Sequence, residues 1–180
     1  MNKNILLTII TIFVLTVVSA QDAKYGFRLG VNISSLNSDL SGDFEDGRVG
    51  LAAGFLAEFF INNRWSVQPE IQYSAQGNQN DQLRTDYINV PILLKYHFTD
   101  VINAYAGPQA GLKIWEWENN ENYKTFDFAA VVGVGFNITE NFFADVRYAY
   151  GLVNVFEDDG LFGNFDANSG NIQIGVGYKL

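Results

Sequence analysis

The chain has 180 residues, 11 basic against 20 acidic side chains for a formal net charge of −9, 48% hydrophobic content and no cysteine. That length suits one domain, and an acid excess with no basic patch argues against nucleic acid as a partner. The lack of cysteine excludes disulfides and a lipid-modified N-terminal cysteine alike.

Residues 1–20 read as a signal peptide. Met1-Asn2-Lys3-Asn4 gives a short positive start, Ile5 to Val18 is an almost unbroken apolar run, and Val18-Ser19-Ala20 puts small residues where a signal peptidase reads. Cleavage is expected before Gln21, leaving one domain over residues 21–180. The competing reading is a retained anchor, but the run is short of the roughly 20 residues that a helical span needs. No other long apolar helix follows, so any membrane crossing falls to strands.

Eight stretches then alternate apolar with small or polar residues at the period of two that marks a β-strand. The first, Tyr25 to Leu36, sets Phe27, Leu29, Val31 and Ile33 against Arg28, Gly30, Asn32 and Ser34. The second, Val49 to Phe60, sets Leu51, Ala53, Phe55, Ala57 and Phe59 against Gly50, Ala52, Gly54, Leu56 and Glu58. The third, Trp65 to Gln76, alternates without a break from Val67 onward. The fourth, Tyr87 to Phe98, opposes Ile88, Val90, Ile92 and Leu94 to Asn89, Pro91, Leu93, Lys95 and His97.

The fifth, Asn103 to Trp115, opposes Ala104, Ala106, Pro108, Ala110 and Leu112 to Tyr105, Gly107, Gln109, Gly111 and Lys113. The sixth, Phe126 to Ile138, carries Phe128, Val132, Val134 and Phe136 on one face and Asp127, Gly133 and Gly135 on the other. The seventh, Phe142 to Leu152, sets Val146, Tyr148 and Tyr150 against Asp145, Arg147 and Gly151. The eighth, Asn171 to Leu180, sets Ile172, Ile174, Val176 and Tyr178 against Gln173, Gly175, Gly177 and Lys179.

Long polar connections (37–48, 77–86, 116–125 and 153–170) alternate with short turns at Asn62-Asn63, Thr99-Asp100 and Glu140-Asn141. Long loops on one rim and tight turns on the other are the layout of an eight-stranded antiparallel up-and-down transmembrane β-barrel. A lipocalin-like barrel would turn the apolar face inward. Its water-facing side would then need many Lys, Glu and Thr, whereas the polar face here is mostly Gly, Ala, Asn, Gln and Ser. Small side chains suit the crowded interior of eight strands, which side chains just fill.

The inner face is expected to carry Arg28, Lys95, Lys113, Arg147 and Lys179 against Glu58, Glu70, Asp127 and Asp145. Buried charge is costly unless paired, so this near-balanced set predicts an ion-paired, plugged lumen rather than an open pore. Aromatic girdles are expected at both rims: Phe59, Phe60, Trp65, Phe98, Phe142, Phe143 and Tyr178 at the short turns, and Tyr87, Trp115, Trp117, Tyr123, Phe126 and Tyr150 at the other. Pro69, Pro91 and Pro108 each remove a ladder donor from a sheet without edges, and bulges are expected there. Leu56 and Leu93 interrupt the polar face.

Several ordered motifs resemble the PorT-like outer-membrane β-barrel family, itself akin in layout to OmpA/OmpX-type eight-stranded barrels. They include Tyr25-Gly26-Phe27-Arg28-Leu29-Gly30-Val31-Asn32, Gln68-Pro69-Glu70-Ile71-Gln72-Tyr73-Ser74-Ala75-Gln76-Gly77 and Tyr87-Ile88-Asn89-Val90-Pro91-Ile92-Leu93-Leu94-Lys95-Tyr96. Ala106-Gly107-Pro108-Gln109-Ala110-Gly111, Arg147-Tyr148-Ala149-Tyr150-Gly151-Leu152 and Ile174-Gly175-Val176-Gly177-Tyr178-Lys179-Leu180 complete the set. The resemblance implies an outer-membrane location and strand prolines as a family habit, with no shared catalytic set. Such barrels usually end in a Phe that the assembly machinery reads; this one ends in Leu180.

Thirteen of the 20 acidic residues fall in the four long connections, including Asp43, Glu45, Asp46 and Glu157-Asp158-Asp159. Such carboxylates can hold divalent cations or bridge through them to lipopolysaccharide, but no regular ligand spacing is present and solvation of exposed loops explains them equally. His97, the sole histidine, is expected to face inward near the short-turn rim beside Lys95 and Thr99, with nothing completing a nucleophile–base–orienter set. The sequence therefore predicts no enzyme, no cofactor and no metal centre. The expectation is a monomer whose partners are outer-membrane lipid, lipopolysaccharide and, during insertion, the barrel-assembly machinery. Its role is structural or surface-interacting through acidic extracellular loops, with a transport or protein-secretion component as the alternative.

Overall fold

The computed structural model describes residues 23–37, 48–77, 84–116, 126–152 and 168–180. Residues 1–20, expected to be a signal peptide, lie outside them, as do most of each long loop, Trp117 and Tyr123. Eight strands follow in chain order: β1 (Ala23–Asn37), β2 (Arg48–Phe60), β3 (Trp65–Gly77), β4 (Arg84–His97), β5 (Ile102–Glu116), β6 (Phe126–Asn137), β7 (Phe142–Gly151) and β8 (Asn168–Lys179). Each pairs antiparallel with its chain neighbours, and β1 closes on β8 from Gly26↔Lys179 to Asn37↔Asn168. The sheet is a closed barrel without an edge.

The three short turns share one construction. Ile61, Phe98 and Ile138 donate their N–H to the carbonyls of Trp65, Ile102 and Phe142, four residues on, at 2.9, 3.0 and 2.8 Å. In each, the side-chain oxygen one residue after the opening accepts from two later amides: Asn62 from Arg64 and Trp65, Thr99 from Val101 and Ile102, Thr139 from Asn141 and Phe142. Short polar side chains that mimic a backbone acceptor explain why Asn and Thr stand there.

The alternation resolves into an inverted burial pattern. Phe55 is 71% exposed and Leu29, Leu51, Ile71, Val134 and Val176 are all exposed, while Arg147 is 2% and Glu58 and Asn32 are 0% exposed. A barrel in water would reverse this, since apolar area removed from water stabilises by about 25 cal/mol per Å². An apolar belt around a polar centre fits hydrocarbon as the surrounding solvent.

Three expectations need correction. The prolines cause no bulge: pairing keeps the same register on both sides of Pro69, Pro91 and Pro108. A proline deletes one donor but adds no residue, so the count of facing residues is unchanged. The register shift lies instead at Asp86/Tyr87, and Asp86, taken as a loop residue, belongs to β4, where it accepts from the Tyr73 hydroxyl at 2.7 Å. Tyr87 and Phe143 leave the girdles, because both point inward and are buried. The aromatics that do face outward at the short-turn rim pack on one another: Phe27 with Tyr178, Tyr178 with Phe142, and Trp65 with Tyr96 and Tyr96 with Phe98.

Candidate functional site

The site lies in the lumen, where alternate residues of every strand converge. Its middle is organised by Arg147 of β7. The guanidinium spans the lumen to Glu70 of β3 with two hydrogen bonds, 2.7 and 3.1 Å, and donates to Asp145 at 2.7 Å. Two parallel bonds from a planar fork to a carboxylate fix direction as well as distance. Asp145 also lies 2.8 Å from Arg28 of β1 and accepts from the Tyr105 hydroxyl at 2.7 Å. Arg28 in turn donates to Gln173 at 3.1 Å.

A second hub sits nearer the short turns. Glu58 of β2 lies 2.7 Å from Lys179, 3.3 Å from Lys95 and 3.2 Å from His97, and accepts from Ser66 at 2.7 Å. Gln68 joins the hubs: its amide donates to Glu70 at 2.6 Å and its carbonyl accepts from Lys95 at 2.8 Å. One polar network thus runs from Gln173 to His97, and its members are almost all buried. Pairing and bridging offset the penalty that each ion would otherwise meet in this interior.

Missing side chains make the room. A Cβ on Gly175 would stand 2.6 Å from the Arg28 guanidinium carbon, and one on Gly133 would stand 2.5 Å from the Tyr105 ring. Phe143 lies beneath the Lys179 ammonium, 4.9 Å from ring centre to nitrogen, and is buried near the short-turn end.

Of the charges expected inside, Arg28, Glu58, Glu70, Lys95, Asp145, Arg147 and Lys179 occupy this network, whereas Lys113 and Asp127 are half-buried nearer the long-loop rim. Reading the sequence missed Ser66, Gln68, Tyr105 and Gln173. Their alternation parity places them inward, but only the fold shows what each meets. His97 faces inward, and Ser66 Oγ (2.9 Å) and Glu58 both approach its Nε2. A general base oriented by a carboxylate needs its partners on opposite ring nitrogens, so this group lacks the geometry of a catalytic triad. Among the described residues no cluster of His, Cys, Asp and Glu has the form of a metal site.

The outer membrane protein β-barrel domain family matches residues 19–157. No curated protein matches the sequence. Among solved structures, Ail, the attachment invasion locus protein of Yersinia pestis, crystallised with the heparin analogue sucrose octasulfate, superposes with a TM-score of 0.56 at 18% identity. The match covers 89% of this chain and 100% of that one. Neisserial surface protein A gives a TM-score of 0.55 at 16% identity, over 89% of this chain and 100% of its own. At such identities the likeness is one of fold.

Proposed function

Because the chain belongs to the outer membrane protein β-barrel domain family, we propose that it serves as a closed, monomeric barrel of the bacterial outer membrane with a structural or surface-interaction role. Residues 1–20 direct export and are removed. The barrel holds the four acidic connections at the cell surface, where carboxylates meet lipopolysaccharide through divalent cations or meet other surface partners directly. The observation that carries this reading is the continuous network from Gln173 to His97. It fills a lumen that eight strands leave only just wide enough for side chains.

Planar-bilayer recording on the refolded protein tests closure. The expected trace is flat, and reproducible single-channel steps would defeat it. A second reading, a transport or protein-secretion component, draws on the resemblance of the ordered motifs to PorT-like barrels. Deletion of the gene should then diminish export of cargo, and undiminished export would count against that role.

A further inference from the structure

The three strand prolines lie on three neighbouring strands, Pro69 in β3, Pro91 in β4 and Pro108 in β5, and each coincides with a lapse in the ladder. Pairing of β2 with β3 lapses at Ala57-Glu58 against Gln68-Pro69. Pairing of β3 with β4 lapses at Glu70-Ile71 against Val90-Pro91, and of β4 with β5 at Ile92-Leu93 against Gly107-Pro108. The lapses share strands, so they join into one diagonal band across the wall. The other five strand pairs run without interruption over their described registers.

A backbone group that lacks its partner is expensive in hydrocarbon, and a proline supplies no N–H to answer the carbonyl opposite. Parting two strands elsewhere in the barrel would break an uninterrupted ladder, whereas at each of these lapses one donor is already missing. The outer face of the band is apolar throughout, whereas its inner face carries Glu58, Gln68 and Glu70 toward β2 and β3 and turns apolar only at its β4–β5 end. Ile71, Val90, Ile92 and Pro108 look outward, while Pro91 and Leu93 look inward, Leu93 with 0% exposure. Leu93 packs with Tyr105, Ala129, Val131 and Ala149, a strip along the inner wall from β4 to β7 that meets the ion network at the Tyr105 hydroxyl.

We infer that the β4–β5 end of this band is a lateral seam, through which a hydrocarbon chain of a bilayer lipid reaches the strip around Leu93. A polar solute gains nothing on that route, since it would leave water for an apolar wall. An acyl chain exchanges one hydrocarbon contact for another, and at the β4–β5 end it meets Leu93 rather than the carboxylates of Glu58 and Glu70. The seam goes beyond the closed-barrel reading and rests on its placement in a bilayer.

The chain has no cysteine, so single-cysteine variants in phosphatidylcholine vesicles report access directly. Leu93→Cys probes the seam, and Ala52→Cys is an equally buried site on β2, paired with Gly30 on one side and Ser74 on the other. Phe55→Cys probes the outer face. An alkyl-chain maleimide should label Leu93→Cys at least tenfold faster than Ala52→Cys, while a sulfonated, water-soluble maleimide labels neither. Adding Pro108→Val, or the smaller Pro108→Ala should the first variant not fold, returns a ladder donor beside Leu93 and should slow that labelling several-fold. Equal labelling of Leu93→Cys and Ala52→Cys, or rates indifferent to the restored donor, would overturn the seam while Phe55→Cys still reacts with the alkyl reagent. If Phe55→Cys reacts only with the sulfonated reagent, the bilayer placement itself fails and the seam falls with it.

Discussion

Replacing Arg147 by alanine tests whether the lumen network holds the barrel together. The substitution deletes two hydrogen bonds to Glu70, at 2.7 and 3.1 Å, and one to Asp145 at 2.7 Å. Hydrogen bonds to charged groups contribute about 1.5–3 kcal/mol each, but losing the guanidinium also removes the penalty of burying it. The residue of these opposed effects is about 3–5 kcal/mol of destabilisation, the usual result when one member of a buried pair goes. Glu70 carries most of it, since Asp145 keeps Arg28 and Tyr105. Replacing both partners, Arg147→Met with Glu70→Leu, leaves no stranded carboxylate and should cost far less than the two single changes together, a coupling of about 2–3 kcal/mol. Urea titration of vesicle-folded protein, followed by tryptophan fluorescence and gel mobility, measures the wild type and each variant. A single-variant cost below about 1 kcal/mol, or strictly additive costs, would refute the reasoning.

Three further outcomes follow from the same geometry. Phe55→Arg puts a charge on the outer face midway along β2 and should destabilise by about 2–4 kcal/mol in vesicles, measured by the same titration. Tyr105→Phe removes the hydroxyl bonded to Asp145 and should cost about 1.5 kcal/mol with fold and oligomeric state unchanged by circular dichroism and sedimentation. Gly175→Val drives a side chain into the Arg28 guanidinium, and overpacking there should lower stability by about 1–3 kcal/mol, seen as a lower urea midpoint.

The strands were legible because the period of two is local: it needs only neighbours in sequence, and Phe27 to Ile33 or Ile172 to Tyr178 display it without help from the fold. The inward direction of Arg28, Glu58 and Arg147 followed from the same parity. Their partners did not, because Arg28 meets Asp145 across 117 positions and Arg147 meets Glu70 across 77, distances set by barrel stagger rather than by spacing. Tyr87 and Phe143 were misplaced by reading their height in the wall and neglecting their parity, which turns both rings inward. The prolines misled because a missing donor and an extra residue both disturb a ladder, yet only an extra residue shifts register, and that shift sits at Asp86/Tyr87.

The central claim is that the apolar side chains of this barrel face lipid while its charges face one another. Nuclear magnetic resonance on methyl-labelled protein in lipid nanodiscs tests it most directly, through contacts between lipid methylene protons and side-chain methyls. The account predicts such contacts at Leu29, Leu51, Ile71, Val134 and Val176, all exposed on the outer wall, together with a slowly exchanging Arg147 guanidinium. Lipid contacts missing from those five methyls, in a protein that stays dispersed in water without detergent, would contradict it.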